Sequence, residues 1–321
     1  MEARTKIPRE GPRGELPPGT RRFGGAAAPP TRRRPAWRAL LAATRPRQWI
    51  KNLLVLAVPA AAGVLGEAAV IRDTALALLA FCLAAAATYL LNDVADREAD
   101  RAHPVKRTRP IAAGEVSPAT ATAVAVIALL LAVGVAALAE PELAAVVAAY
   151  VALTTAYSRW LKHVPIFDIA AVASGFFLRA VAGGVASDLF ISKWFLILAG
   201  GGSLFLVTAK RYAELRSGGA IQRRRPVLEE YSEDYLRAML ATIAGVLVVA
   251  YCIWSFEERG GNAAAWPTSA SAVPFVLGIM RYGLLVDQGH GEEPEELLLR
   301  DRTLLALVAC CLGLLALGSA W

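Results

Sequence analysis

Histidine and cysteine are scarce, and the few present stand apart from one another. Three histidines (His103, His163, His290) and four cysteines (Cys82, Cys252, Cys310, Cys311) in 321 residues offer no zinc-ligand spacing. The adjacent Cys310 and Cys311 are poorly placed for a structural disulfide. All four cysteines lie inside apolar stretches and read as small core hydrophobes. An apolar h-region is lacking from residues 1–38, so no secretory signal is expected. That stretch, rich in Arg, Pro and Gly, reads as a disordered basic cytoplasmic tail, either touching anionic lipid or simply tolerated. An inverted repeat is also lacking, and the polar residues gather at one side of the apolar blocks, which argues against a transporter or channel.

What is present is apolar: 56% of the residues are hydrophobic, and they come in blocks rather than dispersed with a helical or strand period. Blocks long enough to span a bilayer fall at 48–66, 71–91, 118–138, 142–160, 165–186, 192–211, 235–256, 270–286 and 303–321, which predicts nine membrane helices. The eighth is the weakest, being interrupted by Pro274 and Gly278. The net charge of +7 suits either nucleic acid or a membrane surface, and position decides. With the N-terminus inside, the 34 Lys and Arg fall on the tail, the inner loops and the inner helix ends, except for Arg72, Lys193 and Arg259 outside and Arg179 within a span. The positive-inside rule is satisfied: a multi-pass protein of the cell membrane, with no nucleic-acid partner and with its chemistry on the cytoplasmic face.

The main polar motif is Asn92-Asp93-Val94-Ala95-Asp96-Arg97-Glu98-Ala99-Asp100, where the second span reaches the cytoplasm. Asn92, Asp96 and Asp100 are spaced i, i+4, i+8 and share one face of a continuous helix, with Tyr89 one turn before. Stacked carboxylates repel, a divalent cation offsets the repulsion, and oxygen-only ligands suit Mg²⁺ with a substrate phosphate. Prolines then end the helix, and Lys106, Arg107 and Arg109 follow as a cradle for residual phosphate charge. Lys51, just inside the first span, either snorkels or contacts the ligand. Tyr157, Ser158 and Lys162 close the fourth span. Asp168 and Arg179 lie on the fifth, where Arg179 either pairs with a carboxylate or reaches a phosphate. Lys210, Arg211 and Glu214 end the sixth span as a second polar wall, unless Lys210 and Glu214 form only an intrahelical pair. In the loop 287–302, Glu292, Glu293, Glu295 and Glu296 suggest a solvated face, and Asp301 a helix cap.

Asn92 to Asp100 resembles the NDxxDxxxD motif of the UbiA superfamily of intramembrane prenyltransferases, and the similarity covers nearly all of residues 45–321, including Tyr157-Ser158…Lys162. The resemblance implies an all-α nine-helix bundle over residues 39–321, around a lipid-accessible cavity capped by the cytoplasmic loops after the second and sixth spans. Members typically carry a second aspartate-rich motif after the sixth span. Here that segment reads Lys210-Arg211-Tyr212-Ala213-Glu214-Leu215, which suits a more anionic donor. The segments Arg45–Lys51, Asn92–Gly114, Ser192–Leu215 and Asp287–Arg302 resemble the superfamily branch of actinobacterial cell-wall synthesis that moves 5-phosphoribose from phosphoribosyl diphosphate to a polyprenyl (decaprenyl) phosphate. The alternative is prenyl transfer to an aromatic or quinone precursor. On this reading Asn92, Asp96 and Asp100 hold Mg²⁺, and Asp93, Asp96, Asp100 and Lys210 serve catalysis. Substrate contacts come from Lys51, Tyr89, Lys106, Arg107 and Arg109 on one side. Tyr157, Lys162, Arg179, Arg211 and Glu214 supply the other. Assembly into a homo-oligomer is left open.

Overall fold

The apolar blocks become helices because alanine and leucine dominate them and the breakers lie between them. The structure, a computed structural model, describes residues 34–216, 226–257, 266–291 and 294–319. Among these there is no strand. In chain order come α1 (Ala36–Ala43), a 3-10 stretch Pro46–Leu56, α2 (Ala57–Ala61), α3 (Ala68–Ala95), α4 (Arg97–Ala102), α5 (Pro118–Ala139), α6 (Pro141–Arg159), α7 (Phe167–Ala186), α8 (Lys193–Arg216), α9 (Glu233–Glu257), α10 (Trp266–Ala270), α11 (Ala272–Asp287), α12 (Pro294–Arg300) and α13 (Arg302–Ser319). Among the described residues, six helical stretches are long and apolar enough to cross a bilayer: α3, α5, α7, α8, α9 and α10 with α11. Helices α6 and α13 occupy the fourth and ninth expected blocks without joining those six. The expected tail lies outside the described residues up to residue 33, and its last residues, 36–38, already belong to α1. The acidic stretch at 292–296 also lies beyond what is described of side chains.

Helix α3 is the centre of the first half and packs on α5, α6, α7 and the 3-10 stretch. Its contact with α5 is made of alanine. Ala77, Ala80, Ala84 and Ala87 on α3, and Ala121, Ala125, Ala132 and Ala136 on α5, are all fully buried. Small side chains let the helix backbones approach closely, which replaces the hydrophobic drive that lipid does not supply. A second cluster joins α7, α8, α9, α11 and α13 through residues such as Ile169, Phe205, Leu236, Tyr282 and Leu304. At 28 residues, α3 is about 42 Å long, which exceeds the ~30 Å hydrocarbon thickness. Its last turn therefore reaches the polar zone. The loop that follows is pinned by Ile111 and Val116 against α1, α3 and α5. It ends at Ser117, whose Oγ accepts from the Thr120 N–H at 3.0 Å, with Pro118 at the first helical position of α5. Asp301 caps α13 as expected, accepting from the Leu304 N–H at 2.7 Å. The hydrogen bond from Arg281, at 2.6 Å, holds the Asp301 carboxyl below its usual range.

The first expected span is not a regular α-helix. Pro46 opens it, Gln48, Lys51 and Asn52 interrupt its apolar run, and Pro59 sits in α2. Tertiary contacts fix its 3-10 winding. A Cβ at Gly183 of α7 would overlap the Val55 carbonyl oxygen, so only glycine admits this approach. Arg179 supplies the polar counterpart. It is 7% exposed; its Nε donates to Asn52 Oδ1 at 2.7 Å, Nη1 to the Gly175 carbonyl at 2.7 Å and Nη2 to Tyr150 Oη at 2.6 Å. Its guanidinium also lies over the Tyr150 ring, 4.5 Å from the centroid, and Asn52 Nδ2 reaches Cys82 Sγ on α3 at 3.2 Å. In place of the expected carboxylate partner, three neutral acceptors take its donors, and it ties the 3-10 stretch to α3, α6 and α7.

Two stability predictions follow from this contact. Arg179→Met should lower the melting temperature of the detergent-solubilised protein strongly, since each buried group left unpaired costs about 1–3 kcal/mol; an unchanged melting temperature would refute the tie. Gly183→Ala should destabilise more than Gly184→Ala. The former meets the Val55 backbone at a much closer approach, whereas a Cβ at Gly184 would lie 2.8 Å from Val58 Cγ1 and 2.9 Å from Ile191 Cγ1, side chains rather than backbone.

Candidate functional site

The polar mouth forms where α3 ends. Ala95 is the last residue of α3, Asp96 is the junction, and α4 begins at Arg97. Backbone bonds persist across the junction, Asp96 N–H to Asn92 O and Asp100 N–H to Asp96 O, both at 2.8 Å. The side chains part company nonetheless. Asp93 and Asp100 are buried, each 3% exposed, whereas Asn92 is half-buried and Asp96 exposed. Arginines account for the buried pair. Arg45 Nη2 lies 2.5 Å from Asp93 Oδ1, and Arg109 Nη1 bridges Asp93 Oδ1 at 3.2 Å and Asp100 Oδ2 at 2.7 Å. Arg45 also stands over the Tyr89 ring, 4.9 Å from the centroid, on a left-handed backbone with φ 54°. The expected common face of Asn92, Asp96 and Asp100 is thus divided: Asp100 is held by Arg109, and Asp93 by two guanidiniums.

Among the described residues no three His, Cys, Asp or Glu side chains converge to hold a metal ion. Magnesium needs less than that. It retains waters and typically takes one or two carboxylates along with substrate phosphate. Asp96 is exposed and has no cationic partner among the described residues, and Asn92 lies one turn before it. These two oxygens fit such an ion, whereas Asp93 and Asp100 are already neutralised.

Cations follow at once. The 3-10 turn Lys106–Thr108 packs on α4, and His103 Nδ1 accepts from the N–H groups of Val105 and Lys106 at 3.2 and 3.3 Å. Lys106 and Arg107 are exposed and have no carboxylate partner among the described residues. Lys51 is half-buried on the 3-10 stretch. Arg101, by contrast, serves the loop, its Nε donating to the Ala112 carbonyl at 3.0 Å.

The second wall is organised differently from the sequence expectation. Arg211 is 1% exposed; its Nε donates to Asp168 Oδ2 at 2.7 Å and its Nη1 to Glu214 Oε2 at 3.1 Å. Its charge is balanced inside the protein by these two carboxylates. Tyr231 Oη donates to Asp168 Oδ1 at 2.6 Å and accepts from the Ile166 N–H. Burial pushes the Tyr231 phenol above its usual range, and the bond to Asp168 adds to the shift, so it remains a donor at neutral pH. Tyr157 is half-buried near the end of α6. Lys162 and Lys210 are half-buried, Lys162 on the 3-10 turn Leu161–His163. Sequence reasoning missed Arg45 and Tyr231. A carboxylate one turn inside an apolar span demands a cation, and Arg45 was the signal available for it. An apolar recess of about 320 Å³ lies apart from the mouth, lined by residues of α8, α9, α11 and α13 such as Phe205, Leu247, Phe275 and Leu307.

The profile of the UbiA prenyltransferase family matches residues 53–304. A decaprenyl-phosphate phosphoribosyltransferase of Corynebacterium glutamicum is 44% identical over 278 residues, covering 84% of this chain and 82% of that protein. One of Mycobacterium tuberculosis is 45% identical over 273 residues, covering 83% and 89%. Among solved structures, a UbiA homolog from Archaeoglobus fulgidus bound to DMAPP and Mg²⁺ superposes with a TM-score of 0.67 at 18% identity, over 88% of this chain and 98% of that one. Fold, acidic motif and sequence agree: this chain belongs to the UbiA prenyltransferase family.

Proposed function

We propose that this protein transfers 5-phosphoribose from phosphoribosyl diphosphate to decaprenyl phosphate or a similar polyprenyl phosphate. The observation that carries this reading is 43–45% identity, over most of the chain, to proteins named for that reaction. The mouth supports it. Asp96 is exposed, Lys106 and Arg107 in the turn packed on α4 are exposed with no acidic partner among the described residues, and a donor with three phosphorus atoms brings the negative charge that would balance them.

In the reaction the bond from the anomeric carbon to diphosphate breaks, and a bond from that carbon to an acceptor phosphate oxygen forms. The products are polyprenyl-phosphoryl-5-phosphoribose and diphosphate. Magnesium held by Asn92 and Asp96, with Asp100 adjoining, would neutralise charge on the departing diphosphate. Lys106 and Arg107 bind phosphate oxygens in the ground state and, more strongly, as leaving-group charge develops. Asp93 holds Arg45 and Arg109 in place at the same rim, and Lys51, Lys162 and Lys210 complete the cationic surround. The acceptor is already an anion, so no strong general base is needed. The acceptor chain lies against the apolar helix surfaces with its phosphate at the rim. All nine apolar blocks cross the membrane with the tail, the capping loops and the mouth cytoplasmic, and the product supplies lipid-linked pentose for wall arabinan.

Membranes given ribose-labelled phosphoribosyl diphosphate and polyprenyl phosphate should yield labelled lipid; label entering lipid only from a prenyl diphosphate would establish the prenyltransferase alternative instead. Asp96→Asn should lose most turnover at limiting Mg²⁺, by about 10- to 100-fold, and near-normal turnover there would remove the metal from this position. Lys106→Ala should raise the donor KM while leaving stability unchanged. If both KM and kcat stay at wild-type values, that lysine serves topology alone.

A further inference from the structure

Ile166 has φ +70° and ψ −48° and centres a γ-turn in which the Phe167 N–H donates to the Pro165 carbonyl at 2.8 Å, a strained conformation for a β-branched residue. It lies at the end of the turn that carries Lys162, between the 3-10 helix Leu161–His163 and the first residue of α7, Phe167. Ile166 is exposed, so side-chain burial does not hold it. Its backbone N–H donates to Tyr231 Oη. Tyr231 is 6% exposed and comes from the far side of α8, just after the 3-10 helix Pro226–Glu230, whose Val227 and Leu228 are 2% exposed. The hydroxyl is fixed in turn: it donates to Asp168 Oδ1 at 2.6 Å, and Asp168 Oδ2 takes Arg211 Nε at 2.7 Å. A chain of bonds thus runs from the core of α8 to one strained backbone amide.

We infer that Tyr231 is a positioning residue for Lys162: by holding Ile166 in its strained conformation, it sets the turn that presents the Lys162 ammonium to a phosphorylated substrate. This deepens the function proposed above and rests on it. The strain is maintained because a relaxed Ile166 would redirect the chain between α6 and α7 and move the 3-10 turn with it. Tyr231 itself touches no substrate, and its effect passes only through Lys162.

The test is a double-mutant cycle in the full-length protein, with KM and kcat for both substrates and the melting temperature of each variant. Lys162→Ala identifies the substrate concerned by raising its KM. Tyr231→Phe, which keeps the ring and loses both bonds, should raise the KM of that same substrate about fivefold with little change in kcat, and should add almost nothing in the Lys162→Ala background. Independent, multiplicative effects overturn the inference, as does an unchanged KM in either single variant. Should Tyr231→Phe fail to fold, Ile166→Pro replaces it. Proline has no N–H to give Tyr231 and cannot hold φ +70°, so the turn is released while the Tyr231–Asp168–Arg211 bonds remain, and the same KM should rise; a wild-type KM there overturns the inference. A wild-type protein that uses only a prenyl diphosphate defeats the proposed function instead, and the cycle is then read on that donor.

Discussion

The whole arrangement depends on how negative charge is kept at the end of a long apolar helix. Helix α3 delivers three aspartates within eight residues to the rim of a membrane bundle, where unpaired carboxylates are costly. Arg45 and Arg109 answer two of them. Asp93, 3% exposed, receives both guanidiniums, and Arg109 extends to Asp100. This ion cluster joins the start of the chain, the end of α3 and the loop after α4. Asp96 stays exposed, as do Lys106 and Arg107 in the turn that packs on α4. The mouth therefore has a buried, internally balanced half and an exposed half.

Two further arginines repeat the same solution deeper in the protein. Arg179 is satisfied by Asn52, Gly175 and Tyr150, and Arg211 by Asp168 and Glu214. Both are buried, and each fixes a neighbouring segment. Arg179 secures the 3-10 stretch bearing Lys51 against α7, and Arg211 secures the acidic anchor of Tyr231. Where hydrocarbon surrounds the bundle, apolar burial gains little, so alanine contacts and buried hydrogen-bonded knots set the geometry. Rigidity acquired in this way is what a phosphate cradle requires.

Much of the fold was legible in the sequence because apolar length is a direct physical requirement of a bilayer. Blocks at 118–138 and 71–91 match α5 and α3 to within a few residues. The first block misled, since its polar residues and prolines meant more than its overall apolar character, and the contact at Gly183 that fixes its winding joins residues far apart in the chain. The acidic motif was legible as a site, but the division of labour within it was not. Spacing of i, i+4, i+8 predicts a shared face; it carries no information about an arginine 48 residues away in sequence. Arg211 likewise read as a ligand contact because its partner Asp168 sits 43 residues earlier, on another helix. Local pattern located the chemistry, and long-range pairing decided which charges remain available for it.

The central claim is that metal and donor meet the mouth at Asp96 and its exposed cations rather than at the buried pair Asp93 and Asp100. The most direct measurement is a structure of the protein with Mn²⁺ and the donor, with the metal located by its anomalous scattering and the phosphates by their density. The account predicts a metal peak at Asp96 and Asn92 and phosphate density against Lys106 and Arg107, with Asp93 still on Arg45. A metal seated on Asp93, or donor density remote from Asp96, would contradict it.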